Sequence, residues 1–231
     1  MATKKKLVVL SGAGISAESG LKTFRDSDGL WEGYNVQEVA TPGAWQKDPQ
    51  LVLEFYNMRR RDIARASPNA AHVNLARLEQ DFDVHIITQN IDDLHERAGS
   101  SRVVHLHGEI FKMRSEKNET LIHEIRGDIR MGDCAEDGAQ LRPHIVWFEE
   151  NVPMIGPAAA LVRSADIFVV IGTSLLVYPA AGLLQYAGYG AHKFIIDKKI
   201  PALPDIHHLK KIEKAATLGT EELIAILRER F

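Results

Sequence analysis

The sequence has little cysteine, few aromatic residues and no long apolar run. Its 231 residues include one cysteine, Cys134, so no internal disulfide can form. No apolar stretch reaches the ~18 residues that a membrane span needs, and residues 7–10 are too short for the apolar core of a signal peptide. The formal net charge of −3 gives no electrostatic footprint of nucleic-acid binding. We therefore expect a cytoplasmic protein that binds neither membranes nor nucleic acids.

Short aliphatic segments alternate with helical patterns along most of the chain. The apolar segments predict strands that are buried on both faces, at residues 6–10, 84–88, 103–105, 167–171 and 193–196. The helical patterns lie at residues 48–66, 70–80, 157–164, 179–186 and 220–228, with Thr220 as the predicted cap of the last helix. This alternation predicts an α/β fold with a Rossmann-like, doubly wound parallel sheet, which binds ligands at the carboxyl ends of its strands.

Two stretches interrupt the alternation. Residues 23–69 contain no convincing core strand, and residues 109–141 are polar, charged and irregular. The second stretch is long for a structureless loop in a compact domain. It is therefore functional, a small subdomain or mobile.

The most informative segment is residues 7–20, LVVLSGAGISAESG. It predicts a buried strand, a glycine turn at Gly12, Ala13 and Gly14, and the start of a helix. Glycines let a phosphate approach the backbone N–H groups, and a helix N-terminus favours an anion. The next glycine after Gly14 is Gly20, so the spacing is not the G-x-G-x-x-G of ordinary dehydrogenases. The segment predicts a nucleotide site of another kind.

Polar side chains follow the other predicted strands. They are Gln89, Asn90 and Asp92, then His105 and His107, then Thr173 and Ser174 after Gly172, and finally Asp197. Any one of them could be a helix cap or a satisfied turn, but a parallel sheet brings all of them to one edge, over the glycine turn. Hydroxyls at residues 173–174 suit a phosphate or ribose, and the Asp197 carboxylate suits a ribose diol. Asn90 and Asp92 suit a carboxamide such as that of nicotinamide.

The two histidines alternate along the chain, so in strand geometry they point to opposite faces. We expect one to be a buried support and the other to face the cleft. A histidine is the side chain best suited to act as a general base near neutral pH. His107 is the better candidate, because the adjacent Gly108 leaves access to it.

Five motifs in this order resemble those of the sirtuins, a family of NAD-dependent protein-lysine deacylases. They are GAGIS at residues 12–16, GLKTFR at 20–25, TQNID at 88–92, HG at 107–108 and GTS at 172–174. The segments at residues 28–31, 55–61, 90–98, 141–148 and 177–182 resemble the bacterial deacylase group. The resemblance implies a Rossmann-like NAD-binding domain at residues 1–24, 70–110 and 142–231. It also implies a smaller insert-built domain, with a helical module at residues 25–69 and a second module at 111–141.

The resemblance also implies roles for individual residues. His107 would be the general base, with Asn90 and Asp92 completing the catalytic site. NAD would be bound by Gly12, Ala13, Gly14, Ile15, Phe24, Arg25, Trp31, Gln89, Ile91, Gly172, Thr173, Ser174, Asp197 and Ala216. Val146 and Phe148 would bind an acyl-lysine protein or peptide as an added strand. The implied reaction moves the acyl group from lysine to ADP-ribose and releases nicotinamide.

Tyr56 and Arg59 lie three residues apart on a predicted helix, and hence on one face. In related deacylases such a Tyr-x-x-Arg pair binds the carboxylate of succinyl- or malonyl-lysine, since arginine donates two hydrogen bonds to a carboxylate. By its spacing alone, Arg59 is better interpreted as one of three surface arginines at residues 59–61. The resemblance favours the acyl-binding role. Ser27 stands where close relatives carry a small alanine, so the acyl pocket stays roomy.

The chain departs from the family at three places. Most sirtuins carry four zinc-binding cysteines where this chain has only Cys134, so a Cys₄ site is impossible and we expect no metal. The module would then be held by apolar packing through Leu121, Ile122, Ile125 and Ile129, whose spacing is nearly helical. Glu149 replaces a glycine that suits close approach of a peptide. Asp197 stands where relatives often have asparagine.

Two other functions remain open from the sequence. The chain could be an NAD-binding scaffold or sensor with weak deacylase activity, which the missing cysteines and Glu149 favour slightly. It could also transfer single ADP-ribose units to proteins, using the same cofactor pocket. A dehydrogenase is the weakest alternative, because the glycine spacing is wrong. The sequence does not indicate an oligomeric state.

Overall fold

Within residues 3–22, 30–31 and 33–231, which the computed structural model describes, eleven strands alternate with seven α-helices. The strands are β1 (Lys6–Ser11), β2 (Leu30–Trp31), β3 (Tyr34–Asn35), β4 (Asp83–Thr88), β5 (Val103–His105), β6 (Gly108–Ser115), β7 (Ile122–Glu124), β8 (Leu141–Ile145), β9 (Ile167–Ile171), β10 (His192–Ile196) and β11 (Leu209–Ile212). The α-helices are α1 (Val36–Val39), α2 (Pro42–Lys47), α3 (Pro49–Arg65), α4 (Ala70–Arg77), α5 (Leu94–Arg97), α6 (Ile155–Arg163) and α7 (Ala216–Arg230). Shorter 3₁₀ helices occupy Ala13–Ile15, Ala17–Ser19, Leu78–Gln80 and Ala180–Tyr186.

The largest sheet is parallel throughout and has the strand order β11-β10-β9-β1-β4-β5. The chain builds outward from β1 in one direction through β4 and β5, and in the other through β9, β10 and β11. The switch in direction therefore falls between β1 and β9, and a crevice forms there at the carboxyl ends of the strands. The predicted doubly wound sheet is confirmed.

All five predicted strands of this sheet are present, each within one residue of its predicted ends. The apolar side chains of the inner strands are buried because helices cover both faces, as in β9, where all five residues are buried. In the edge strand β5, Val103 and Val104 are only partly buried. The sixth strand, β11, is absent from the prediction. It lies at the edge of the sheet and carries Lys210 and Lys211 on its exposed positions, so it lacks a continuous apolar run.

The predicted helices are present, with three corrections. The last helix begins at Ala216, four residues before the predicted start, so Thr220 is not its cap: the Thr220 hydroxyl donates to the carbonyl of Thr217 instead. The segment after Pro179 is a 3₁₀ helix rather than an α-helix. The glycine turn leads into two short 3₁₀ helices and not into an α-helix. No helix in the described part of the chain is long and apolar enough to cross a membrane.

Residues 108–145 form a second, antiparallel sheet with the strand order β7-β6-β8. The expectation of helical packing at residues 121–129 was wrong, because Ile122 lies in the strand β7 and is 43% exposed. Ile129 is buried, and Ile125 packs against the same apolar cluster. Among the described residues, no group of three His, Cys, Asp or Glu side chains is placed to hold a metal ion. The absence of zinc stays a prediction based on the cysteine count.

The second sheet is tied to helix α3 by buried polar side chains. Arg60 is 1% exposed and donates from Nε to the carbonyl of Ile110 at 2.8 Å. Asn57 donates to the Ile129 carbonyl and accepts from the Ile129 N–H, at 2.8 and 3.0 Å. Arg60 also donates to the Asn57 side chain at 2.7 Å. The bonds to Ile129 satisfy backbone groups in the irregular segment between β7 and β8, which has few strand partners of its own, and the bond to Ile110 satisfies a carbonyl of β6.

Apolar clusters cover both faces of the parallel sheet, and a third cluster joins helices α1–α3 to the antiparallel sheet. The third cluster also includes Leu94, Ile145 and Trp147. This separate core supports the proposal of a smaller domain made of residues 25–69 and 111–141. Its apolar packing extends beyond those boundaries.

Helix α7 packs closely on β10 at Gly219. A Cβ on Gly219 would lie 2.2 Å from Cγ2 of Ile196, a fully buried side chain with little rotamer freedom. We predict that Gly219→Ala lowers the free energy of unfolding by about 1–3 kcal/mol, because overpacking outweighs the helix propensity of alanine. Urea denaturation followed by circular dichroism measures this change.

Gly156→Ala in α6 is the matched control, since nothing lies within 4 Å of its added Cβ. It should leave the free energy of unfolding unchanged or raise it by up to about 1 kcal/mol. Equal effects of the two substitutions would show that close packing at Gly219 does not matter.

Candidate active site

A cavity of about 340 Å³ opens at the carboxyl edge of the parallel sheet, where the sequence placed the ligand. Its wall includes most of the predicted site residues: Gly12, Ala13, Gly14, Tyr56, Arg59, Gln89, Asn90, Ile91, Asp92, His107, Val146, Phe148, Gly172, Thr173, Ser174, Asp197 and Ala216. These residues come from the ends of β1, β4, β5, β9 and β10, from helices α3 and α7, and from the segment after β8. The fold thus brings together residues that are up to 204 positions apart, from Gly12 to Ala216.

The remaining predicted residues are placed elsewhere or not described. Ile15 lies in the core under the sheet and not in the cavity wall, because its side chain is fully buried among apolar neighbours. Phe24 and Arg25 lie outside the described residues, as does Ser27, and of Trp31 only the backbone strand β2 is described. Their roles stay predictions.

The glycine turn is shaped by close contact between two strand ends. The Gly14 N–H donates to the carbonyl of Gly172 at 2.8 Å, and the Gly12 N–H donates to Ile171 at 3.0 Å. A Cβ on Gly14 would lie 2.8 Å from the Gly172 Cα, and a Cβ on Gly172 would lie 2.3 Å from the Ile15 nitrogen. Gly172 also has a φ of +65°, which favours glycine. The turn therefore requires glycines for chain packing as well as for access to a ligand.

Ser16 is the centre of a buried hydrogen-bond network beside this turn. Its hydroxyl donates to Oδ2 of Asp92 at 3.0 Å and accepts from Nδ2 of Asn90 at 3.1 Å. Asn90 Nδ2 also reaches the Gly12 carbonyl, at 3.3 Å. Burial raises the pKa of the Asp92 carboxyl, while hydrogen bonds from the Leu94 N–H and Ser16 oppose this shift. The network fixes Asn90 and Asp92 in the cavity wall.

Two buried histidines lie behind Ser16. Nε2 of His72 is 3.5 Å from the Ser16 hydroxyl oxygen, and Nδ1 of His72 accepts from the N–H of Asn69 at 3.4 Å. His72 is therefore neutral, with its proton on Nε2. His95 packs edge-on against His72, with ring centroids 4.9 Å apart, and bonds to Ser11 at 2.9 Å. Burial lowers the pKa of His72 to about 4 and that of His95 well below its usual value.

His107 lines the cavity and His105 does not, which agrees with the expectation that only one of the two faces the cleft. His105 is held between the carbonyl of Asn90 at 3.1 Å and the carboxylate of Glu96 at 2.7 Å. Burial opposes protonation of His105, but Glu96 outweighs burial and raises its pKa. Nδ1 of His107 bonds to the carbonyl of Gln89 at 2.9 Å. A carbonyl only accepts, so Nδ1 carries the proton and Nε2 keeps a lone pair.

Burial lowers the pKa of His107, opposed by the hydrogen bond to the Gln89 carbonyl. His107 is thus neutral at neutral pH. Since its ring lines the cavity, it has the protonation state that a general base requires.

The opposite end of the cavity is formed by helix α3. Tyr56 is fully buried and Arg59 is 4% exposed, so the alternative that Arg59 is a surface arginine was wrong. Arg61, two residues further on, is the exposed member of the run and pairs with Asp128 at 2.7 Å. Burial raises the pKa of the Tyr56 hydroxyl, which stays protonated as a hydrogen-bond donor.

The segment between β8 and helix α6 forms one rim of the cavity. The N–H of Val146 donates to the carbonyl of His107, and the N–H of Phe148 donates to the carbonyl of Ala40. Glu149 has a φ of +73°, in the left-handed region that favours glycine. The glycine that the resemblance implies at this position would suit this backbone conformation, and Glu149 adopts it at some cost in strain.

Sequence reasoning missed Ser16, His72 and His95 as contributors to the site. Ser16 belongs to the GAGIS motif, but the motif alone indicates no role for it. Its neighbour His72 lies on helix α4, 56 positions away along the chain. The one usable signal was that histidine at residues 72 and 95 interrupts otherwise apolar helical faces. Such a histidine is more often structural than functional, which is why the signal was weak.

The arrangement defines a nucleotide-binding α/β protein with a neutral histidine and a buried amide–carboxylate pair in one cavity. A profile of the Sir2 family matches residues 12–179. An NAD-dependent protein deacylase of Helicobacter pylori is 52% identical over 225 residues, which cover 97% of this chain and 98% of that protein. One of Bacteroides thetaiotaomicron is 52% identical over 229 residues, covering 96% and 98%. The crystal structure of a Sir2 homologue in complex with NAD is 38% identical and covers 98% of this chain and 90% of that one, with a TM-score of 0.86.

This chain belongs to the Sir2 family, which confirms the resemblance to sirtuins that the motifs indicated. The structural likeness confirms the Rossmann-like α/β fold as well.

The buried neutral histidines predict acid instability. His72 binds a proton more weakly in the folded chain, with a pKa of about 4, than in the unfolded chain, where it is about 6.5. The unfolded state therefore gains a proton first as pH falls, and stability is lost between about pH 6.5 and 4. This group alone should account for about 3 kcal/mol over that window. Urea denaturation at several pH values measures the slope.

His72→Gln removes the titrating group and keeps a side-chain donor for Ser16. The variant should be less stable at pH 7.5 but show a shallower loss of stability on acidification. A slope identical to that of the unsubstituted protein would show that His72 is not the group responsible.

Proposed function

We propose that this protein removes acyl groups from lysine side chains of proteins or peptides, with NAD as co-substrate, and forms nicotinamide and O-acyl-ADP-ribose. The observation that carries the proposal is the meeting of a neutral His107 with Asn90 and Asp92 at the glycine turn, in one cavity. The names of the relatives, which are NAD-dependent protein deacylases, support the same activity.

The residues present fit NAD. The Gly12–Gly14 turn offers backbone groups at the switch point of the sheet, and the Thr173 hydroxyl, which accepts from Gln89 at 3.2 Å, faces the same space. The Asp197 carboxylate, at the end of β10, suits the two hydroxyls of a ribose. Ile91, Asn90 and Asp92 would enclose the nicotinamide ring and bind its carboxamide. NAD, when bound, supplies an ADP-ribosyl group that accepts the acyl group as nicotinamide leaves.

His107 would take a proton from a ribose hydroxyl through Nε2, since Nδ1 already donates to Gln89. The Gln89 carbonyl holds the ring in this tautomer and stabilises the positive charge that develops on it. Ser16 would keep the amide of Asn90 directed into the cavity, because its hydroxyl accepts one Nδ2 hydrogen. The buried Asp92 accepts from Ser16 and from the Leu94 N–H, so its carboxyl group is fixed before any ligand binds.

The acyl-lysine chain would enter beside Val146 and Phe148, at the rim of the cavity, and reach toward Tyr56. An acidic acyl group would meet the guanidinium of Arg59 and the hydroxyl of Tyr56 at the buried end. A buried arginine binds a carboxylate strongly, because water does not screen the pair. We therefore propose succinyl- and malonyl-lysine as substrates in addition to acetyl-lysine. The protein would act in the cytoplasm and without a structural zinc.

We predict that His107→Ala lowers kcat for an acetyl-lysine peptide by at least about 10²-fold, because it removes the general base. Nicotinamide release with NAD and the peptide, followed by chromatography, measures the rate. The kcat/KM of the unsubstituted protein should fall as pH drops through the pKa of His107, which lies below the usual 6.5.

A melting temperature near that of the unsubstituted protein would show that His107→Ala is folded. A folded variant with most of its activity would refute the assignment of His107. Labelled ADP-ribose that stays on a protein, without deacylated peptide, would favour ADP-ribosyl transfer instead.

We predict that Arg59→Met lowers kcat/KM for a succinyl-lysine peptide about tenfold or more beyond any effect on the acetyl peptide, since only the succinyl group needs a cation. Mass spectrometry of matched peptides gives both values. Arg61→Met, at the exposed arginine on the same helix, is the control and should leave the ratio unchanged. Equal losses on both peptides with Arg59→Met would rule out a carboxylate-binding role.

A further inference from the structure

An ion pair between Arg142 and Glu150 holds the rim segment, defined as residues 145–150. Arg142 donates from both terminal nitrogens to the Glu150 carboxylate, at 2.8 and 3.2 Å. The same guanidinium donates to the carbonyl of Ile145 at 3.0 Å, and Glu150 accepts from the N–H of Trp147 at 2.8 Å. The pair thus contacts the first residue, the middle and the last residue of the rim segment.

The ion pair also sets the position of the Trp147 ring. The Arg142 guanidinium carbon lies 3.2 Å from the centroid of this ring. Trp45 and Tyr56 lie near the same ring, with centroids 5.7 and 6.5 Å from it. The ring is 2% exposed, so it joins the rim segment to the buried acyl end of the cavity. Stacked on an aromatic face, a planar guanidinium has one orientation in which it can also grip a carboxylate with two bonds.

We propose that Arg142 and Glu150 are positioning residues that hold the rim segment in the shape that receives the acyl-lysine substrate. The inference rests on the proposed function, since it concerns the same substrate. Val146, Phe148, Glu149 and Glu150 line the cavity, whereas Arg142 does not. Both carboxylate oxygens of Glu150 accept from Arg142, and one of them also accepts from the Trp147 N–H. Arg142 therefore acts through the segment and not by contact with a substrate, and Glu150 acts through its bonds to Arg142 and to the backbone of Trp147.

The geometry distinguishes this role from general stabilisation of the fold. Buried ion pairs often add little net stability, because desolvation offsets their attraction. This pair bonds to two backbone groups, the Ile145 carbonyl and the Trp147 N–H, within a segment of six residues that includes the left-handed Glu149. Holding such a segment in one conformation lowers the entropy lost when a peptide docks, which affects substrate binding.

The test compares Glu150→Gln with the unsubstituted protein in steady-state deacylation of an acetyl-lysine peptide. Glutamine has the size of glutamate and keeps one acceptor oxygen, but it cannot form the two charge-assisted hydrogen bonds with Arg142. We expect KM for the peptide to rise about tenfold or more, with KM for NAD changed less than about twofold and kcat within about threefold. Arg142→Lys should reproduce the effect, because a single ammonium cannot make both bonds and stack on Trp147.

Asp128→Asn is the matched control. It breaks a two-bond arginine–carboxylate pair with Arg61, at 2.7 and 2.8 Å, which lies outside the cavity wall. Peptide KM should not change in this variant. The double variant Arg142→Met with Glu150→Leu removes both partners, so neither is left buried without the other. Arg114, which lies 3.7 Å from Glu150, keeps its ion pair with Glu119 at 3.4 Å. We expect the double variant to be folded by its melting curve and to keep the raised peptide KM.

An unchanged peptide KM in Glu150→Gln, with normal turnover by the unsubstituted protein, would overturn the positioning role and leave the proposed function intact. A parallel rise in the KM values for NAD and peptide would also overturn it, because it would indicate a general loss of structure. Absence of turnover by the unsubstituted protein would instead refute the proposed function, and the positioning role with it.

Discussion

The contact between the glycine turn and Gly172 determines where everything else in the site can lie. Strands β1 and β9 are neighbours at the switch point of the sheet, and their ends approach until the Gly14 N–H reaches the Gly172 carbonyl at 2.8 Å. No side chain fits between them, since an added Cβ on either glycine would lie within 2.8 Å of backbone. This approach leaves the crevice beside the turn open, and the polar ends of β4 and β10 face into it. Because glycine has no side chain, these positions allow both the close packing of the strand ends and the approach of a ligand.

The crevice has polar groups at the strand ends, and the two histidines behind them are uncharged. His72 is buried and neutral and contacts Ser16, which in turn holds Asn90 and Asp92. His95, also buried and neutral, packs against His72 and bonds to Ser11. A charged group in that layer would be costly without a partner, whereas a neutral network can satisfy its donors and acceptors internally. The amide and carboxyl groups are therefore oriented before a ligand arrives, and binding need not order them.

The parts predicted well from sequence are those where one physical rule dominates. Strands buried on both faces read as apolar runs, so all five were located to within one residue. The strand β11 and the antiparallel sheet at residues 108–145 were missed, because an edge strand with lysines and a short, half-exposed sheet lack such runs. The cavity residues at strand ends were also predicted, because a parallel sheet brings the carboxyl ends of its strands to one edge. Ser16 and His72 were missed, because their roles arise from a contact between distant positions that no local pattern encodes.

In the module that lacks the four cysteines, hydrogen bonds from helix α3 hold the antiparallel sheet. Arg60 and Asn57, both on helix α3, bond to backbone groups of Ile110 and Ile129, where few strand partners exist. A metal would fix such a segment by tying its own ligands together, whereas these bonds fix it to the helix that carries Tyr56 and Arg59. The end of the cavity at Tyr56 and Arg59 and the antiparallel sheet consequently share one support. Buried polar bonds are costly to leave unmade, so a change in the sheet that breaks them would act on α3 and on the pair that we propose to bind the acyl group.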